Sequence, residues 1–268
     1  MSLFAINSII LSTMFIFILL NFPSVHVLDK RGLRVGVTLG IFLTCLGMWI
    51  RCLVNQSFYF AVLGQAISAS GQPFMFNAFT LLSLNWFPQK ERIMSTAVSA
   101  YAGVLGAGIG SFIPSLFFSS NDVTNVAVSQ ASCLHMCILM ATCGTVVFLL
   151  TLALFRDKPE ETKAPFEFHL EDYSVLESAK ALLSSKNFVM QFIPHSIILS
   201  YCQALPTLLI QLIGVYGFTS AQASYLTAGF MISGILGGAL TITLLTKYGY
   251  EYFRTASLTI ISGTLISN

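Results

Sequence analysis

Long apolar runs follow one another through this chain, each near the length needed to cross a bilayer. They cover residues 5–28, 34–54, 57–86, 93–119, 131–155, 188–213 and 219–246, and an eighth starts near 255. A hydrocarbon layer about 30 Å thick takes about 20 apolar residues as a helix. The runs are continuously apolar, without the period-two alternation of a membrane barrel, so helices are the expected element. The eighth run has 14 residues before Asn268. At about 1.5 Å per residue it falls short of a full span.

Composition closes off the alternatives. Charged residues make up 9% and hydrophobic residues 55% of the 268, against roughly 25% charged in a soluble domain. A water-facing surface cannot be covered with so few charges, which argues against a cytosolic enzyme, a nucleic-acid binder or a disordered segment. The predicted fold class is therefore all-α, a polytopic membrane bundle with the lipid bilayer as its surroundings. No Gly-x-Ser-x-Gly, no His-Glu-x-x-His and no aspartate pair within a span is present, so an intramembrane enzyme is a poor reading. Cys133 and Cys137 share a helical face that His135 does not, so neither a metal site nor a cofactor is expected.

Basic residues orient the spans. Twelve of the thirteen Lys and Arg fall in or beside alternate connections: Lys30, Arg31 and Arg34; Lys90 and Arg92; Arg156 to Lys186; Lys247 and Arg254. These are expected on the cytoplasmic side. Residues 156–187 form the long polar stretch, dividing a bundle of residues 1–155 from a second beginning at 188–268. Within the linker, Ser174 to Lys186 places Leu176, Ala179, Leu182 and Leu183 at helical spacing, as in a helix lying on the membrane surface. A faint repeat relates Leu28-Asp-Lys-Arg-Gly-Leu-Arg34, after the first span, to Leu245-Thr-Lys-Tyr-Gly-Tyr250, after the seventh. Repeated helical blocks are a common transporter plan.

Polar residues inside the spans mark candidate binding positions. Ser196, Ser200, Gln203, Thr207 and Gln211 lie within about an 80° arc of one helix. Hydrocarbon cannot satisfy such groups, so the stripe faces either a water-filled cavity or another helix. Gln65, Ser68 and Gln72 form a shorter stripe with the same two readings. His195 is an ionisable side chain well inside a span, hence a candidate for coupling to protons, or a hydrogen-bonded structural residue. Gly106-x-x-x-Gly110 and Gly234-x-x-x-Gly238 permit close helix packing.

The Asp29-Lys-Arg-Gly-Leu-Arg34 segment resembles the signature loop of the major facilitator superfamily. In that loop an acid, basic residues and a turn glycine join two helices. Asp29, Arg31, Gly32 and Arg34 are the matching positions, and the resemblance implies a latch at the cytoplasmic gate. Trp86-Phe87-Pro-Gln-Lys90-Glu91, Gly64-Gln65, Gln72-Pro73, Phe22-Pro23 and Thr207-Leu-Leu-Ile-Gln211 narrow it. They are similar to the feline leukaemia virus subgroup C receptor family, with the spans matching family helices two to nine, so the resemblance implies a partial chain. The resemblance implies alternating-access transport of a small organic solute: choline or ethanolamine, haem, or pyridoxine. A plasma or endolysosomal membrane is expected. Choline-binding members place a glutamine where this chain has Val104 and a tyrosine where it has Gln203. A receptor-like or structural membrane protein is the alternative reading.

Overall fold

The computed structural model describes residues 3–117, 126–157 and 175–248. Among them eight helices follow in order: α1 (Leu3–Arg31), α2 (Leu33–Arg51), α3 (Phe58–Trp86), α4 (Arg92–Phe117), α5 (Val126–Leu154), α6 (Val175–Ser184), α7 (Lys186–Gly214) and α8 (Ser220–Tyr248). Each of the seven complete apolar runs is one long helix. The expected amphipathic stretch 174–186 contains the helix α6, with Leu182 and Leu183 exposed; Ser174 and the side chains of Leu176 and Ala179 lie outside the described residues. The eighth run lies outside the described residues. Helix is the form dictated by lipid, because it satisfies backbone N–H and C=O groups within the segment. Among the described residues five helices are apolar and long enough to cross a membrane by length and composition alone.

Chain punctuation agrees with local chemistry. Gly32 separates α1 from α2 with φ 88° and ψ 167°, a positive-φ region essentially reserved for glycine that costs other residues about 1–3 kcal/mol. Ser57 opens α3, its hydroxyl accepting the Tyr59 N–H at 3.4 Å, the usual N-cap arrangement.

Two compact units are formed. The first contains residues 1–100 and 113–204, with α2 packed against α1, α3 and α5. Its tightest seam joins α2 to α3 in antiparallel register. A Cβ added at Gly40 would lie 3.1 Å from the Gly71 carbonyl oxygen, and one at Gly64 would lie 2.6 Å from that of Gly47. Close backbone approach of this kind lets dispersion and weak hydrogen bonds hold helices together in lipid, where apolar burial provides little drive. At one end of the seam Leu28, Leu33, Val37 and Ala78 form a buried cluster, with Met75 and Phe155 against it. Against α5, Trp49 Nε1 donates to Thr145 Oγ1 at 3.0 Å. The Phe42 and Phe148 rings lie 5.7 Å apart.

The second unit contains residues 101–112 and 205–268. Here the second half of α4 runs antiparallel to α8. A Cβ at Gly238 would meet the Tyr101 ring, one at Gly108 would lie 3.6 Å from Met231 Cβ, and the Phe112 and Tyr225 rings are 5.7 Å apart.

Large apolar side chains cover the outside. Phe15, Ile18, Leu19 and Phe22 on α1, and Val146, Val147, Leu149 and Leu150 on α5, are all more than half exposed. Patches this continuous are untenable in water and suited to acyl chains.

Candidate functional site

The turn between α1 and α2 is built from backbone geometry and one remote carboxylate. Gly32, at its positive φ, lets the chain reverse, and α2 starts with no side-chain cap of its own. That capping function comes from Asp157, just beyond α5, whose Oδ1 accepts the Arg34 N–H at 2.5 Å. A carboxylate at this position satisfies a donor the helix leaves unpaired and faces the positive end of the helix dipole. Arg34 also donates from Nη2 to the Leu152 carbonyl at 3.1 Å. One residue thus ties the α2 N-terminus to the α5 C-terminus through both its main chain and its side chain. Asp29 and Arg31 are exposed at the end of α1; among the described residues neither forms a hydrogen bond or ion pair. The acid facing a helix N-terminus here is Asp157, which sequence reasoning missed because nothing in its spacing links it to a turn 123 residues away.

The Gln65–Ser68–Gln72 stripe divides once its neighbours are known. Gln65 is a bridge: its Oε1 accepts from Arg51 Nη1 at 3.2 Å, and its Nε2 donates to Thr13 Oγ1 at 3.1 Å. Ser68 Oγ donates to the Thr44 carbonyl at 3.1 Å. Both therefore join helices. Gln72 is half-buried and, among the described residues, makes no hydrogen bond. One turn further, Phe76 meets Phe17 edge-on at 5.7 Å and Phe79 at 5.9 Å. Beyond these rings lies a second polar join. Asn77 Nδ2 donates to Asn21 Oδ1 at 3.0 Å and to Ser24 Oγ at 2.8 Å, and Ser24, fully buried, donates to the Asn21 carbonyl at 2.7 Å. Asn21 and Asn77 stand inside apolar runs, which is the signal that would have singled them out.

On α7, Ser200 is exposed and its Oγ donates to the Ser196 carbonyl at 2.7 Å. Ser196 does the same to Phe192 at 2.8 Å, so each hydroxyl is satisfied by its own helix. His195, Gln203 and Thr207 lie on α7, but their side chains fall outside the described residues. Val104 is half-buried on α4. Gln72, Ser200 and Gln203 belong to the first unit, Val104 and Thr207 to the second, and no described contact joins any two of them.

Apolar helices with lipid-suited surfaces, cross-linked by hydrogen bonds among scattered polar side chains, define an integral multi-pass membrane protein. The chain belongs to the Major Facilitator Superfamily, whose family model matches residues 1–267. It is 28% identical over 235 residues to the choline/ethanolamine transporter FLVCR1 of Felis catus, covering 85% of this chain and 42% of the relative. It is 27% identical over 251 residues to the choline/ethanolamine transporter FLVCR2 of Homo sapiens, covering 90% and 47%. The uncharacterized MFS-type transporter C09D4.1 of Caenorhabditis elegans is 26% identical over 243 residues, covering 88% and 41%. The chain therefore spans about half the length of these curated relatives.

Proposed function

We propose that this chain is part of a non-enzymatic transporter that moves a small organic solute across a membrane by alternating access. The observation that carries this reading is the family match over residues 1–267, joined by relatives named as choline/ethanolamine transporters. In this reading the block 1–155 and the block beginning at 188 are the two moving parts, and 156–187 is their cytoplasmic linker. The Gly32 turn, held through Arg34 to the end of α5, gives the first block a rigid cytoplasmic corner. Asp29 and Arg31, exposed beside that corner, are free to act as the latch.

The solute is an amino-alcohol or a similarly hydrogen-bonding molecule, contacted by Gln203, Ser200, Thr207, Gln72 and Val104. An amide offers two donors and an acceptor, and is a weaker seat for a quaternary ammonium than an aromatic ring. Gln203 stands where the resembling family has a tyrosine, so this protein prefers ethanolamine-like or pyridoxine-like solutes over choline.

Competition uptake by the full-length protein, with variants matched for surface level, tests this. Gln203→Leu abolishes uptake of the preferred solute, and Gln203→Tyr shifts preference toward choline. Avid choline uptake by the wild type, unchanged in Gln203→Leu, would overturn the assignment. His195→Gln separately tests coupling: a transport rate that loses its dependence on a proton gradient assigns that role to His195.

A further inference from the structure

α4 changes partner along its length. Its first half bonds to α3: Thr96 Oγ1 donates to Ser83 Oγ at 2.8 Å, and Ser83 Oγ lies 3.0 Å from Ser95 Oγ. Its second half, from Tyr101 onward, belongs with α8 in the other compact unit. At about 100° per residue Tyr101, Gly108 and Phe112 share one face, and these are the residues that meet Gly238, Met231 and Tyr225.

Within that face the Tyr101–Gly238 contact differs from the other two. Phe112 and Tyr225 meet ring to ring, and Met231 would lie at ordinary van der Waals distance from a methyl added at Gly108. Tyr101 instead drives its phenol end against the α8 backbone, leaving no room for even one methyl group at Gly238. Tyr101 is nine residues from Arg92 at the start of α4, and Gly238 is ten from Tyr248 at the end of α8. The seat therefore lies about 14 Å from those helix ends, in the half of the membrane toward Lys90 and Arg92.

Just past the seat, α4 carries Gly103, Gly106 and Gly110, and among the described residues nothing lies within 4 Å of a Cβ built on any of them. Each glycine costs a helix up to about 1 kcal/mol relative to alanine, and no packing contact among the described residues requires them. They make this stretch of α4 easy to bend immediately beside the Tyr101 seat.

We propose that Tyr101 seated on Gly238 is a clasp that holds α4 to α8 in the half of the membrane facing the Lys90–Arg92 loop. Withdrawal of the ring, with α4 flexing over residues 103–110, opens that half. The inference rests on the alternating-access reading and adds to it a specific pair that sets the balance between closed and open states.

The test places a reporter cysteine at Ala97, one turn from Tyr101 toward the loop, in the full-length protein. Its labelling by an impermeant maleimide is followed in vesicles of both orientations, against the same protein without the reporter. Tyr101→Ala and Gly238→Leu should each raise labelling from the loop side by about fivefold or more, a typical span for one conformational coupling. Tyr101→Phe, which keeps the ring, should label like the wild type. The size swap Tyr101→Ala with Gly238→Leu refills the seat and should bring labelling back toward the wild type. Should Gly238→Leu fail to reach the membrane, Gly238→Ala reads the same steric block.

Wild-type labelling in well-expressed Tyr101→Ala and Gly238→Ala would overturn the clasp. So would a double variant at least as open as the more open single variant. Sided changes in labelling with no solute moved by the wild type would support the clasp and count against transport.

Discussion

Replacing Asp157 should loosen the corner where α1, α2 and α5 meet, and the size of the effect follows from its contacts. Asp157→Ala removes the acceptor from the Arg34 N–H, a cap whose loss costs about 1 kcal/mol. It also removes a negative charge from a helix N-terminus, worth about 0.5 kcal/mol at a partly exposed site. The expected loss is about 1.5 kcal/mol, a lowering of the melting temperature by about 3–6 °C for a chain of this size. Asp157→Asn keeps an acceptor and loses the charge, so it should fall between wild type and Asp157→Ala. The gap between Asn and Asp should shrink in 1 M salt as the charge–dipole part is screened. Gly32→Ala supplies the cross-check. Its Cβ carries the penalty of φ 88° and would lie 3.1 Å from Asp157 Oδ1. Combined with Asp157→Ala, the steric part disappears and the strain remains, so the double variant should be less damaged than the two losses summed. Thermal unfolding of detergent-solubilised protein at two salt concentrations provides the readout. A neutral Asp157→Ala together with strict additivity would refute the capping role.

Two other expectations can be checked with simpler measurements. Gly47→Leu places a branched side chain where even a methyl would collide with the Gly64 carbonyl and the Ser68 backbone. It should destabilise the α2–α3 pair by about 1–3 kcal/mol, seen as lower thermal stability and poorer surface expression, whereas Gly214→Ala, whose added Cβ would meet nothing within 4 Å among the described residues, should change neither. The distribution of basic residues predicts a cytoplasmic loop 157–186; Ser174→Cys should then resist impermeant thiol reagents in intact cells, and strong labelling from outside would invert the topology.

The sequence by itself determined the spans, because in hydrocarbon the backbone has one local solution and apolar length reports it. The run expected at 57–86 is the helix Phe58–Trp86, and that at 34–54 is Leu33–Arg51. The largest difference is at α5, which starts at Val126 where hydropathy suggested 131. Helical hydrogen bonds continue through Ser129 and Gln130, whose polarity ends the apolar signal early. Family membership was legible too, since a turn glycine between charged residues is a local pattern. Partnership among polar groups was not. Gln65 and Gln72 look alike in sequence, yet Gln65 joins Arg51 to Thr13 while Gln72 makes no hydrogen bond among the described residues. The acid capping α2 proved to be Asp157, and the tightest seat on α8 proved to be Gly238. Such pairings depend on which helix faces meet, and residues far apart in the chain carry no periodic signal of the neighbour that packing will bring them.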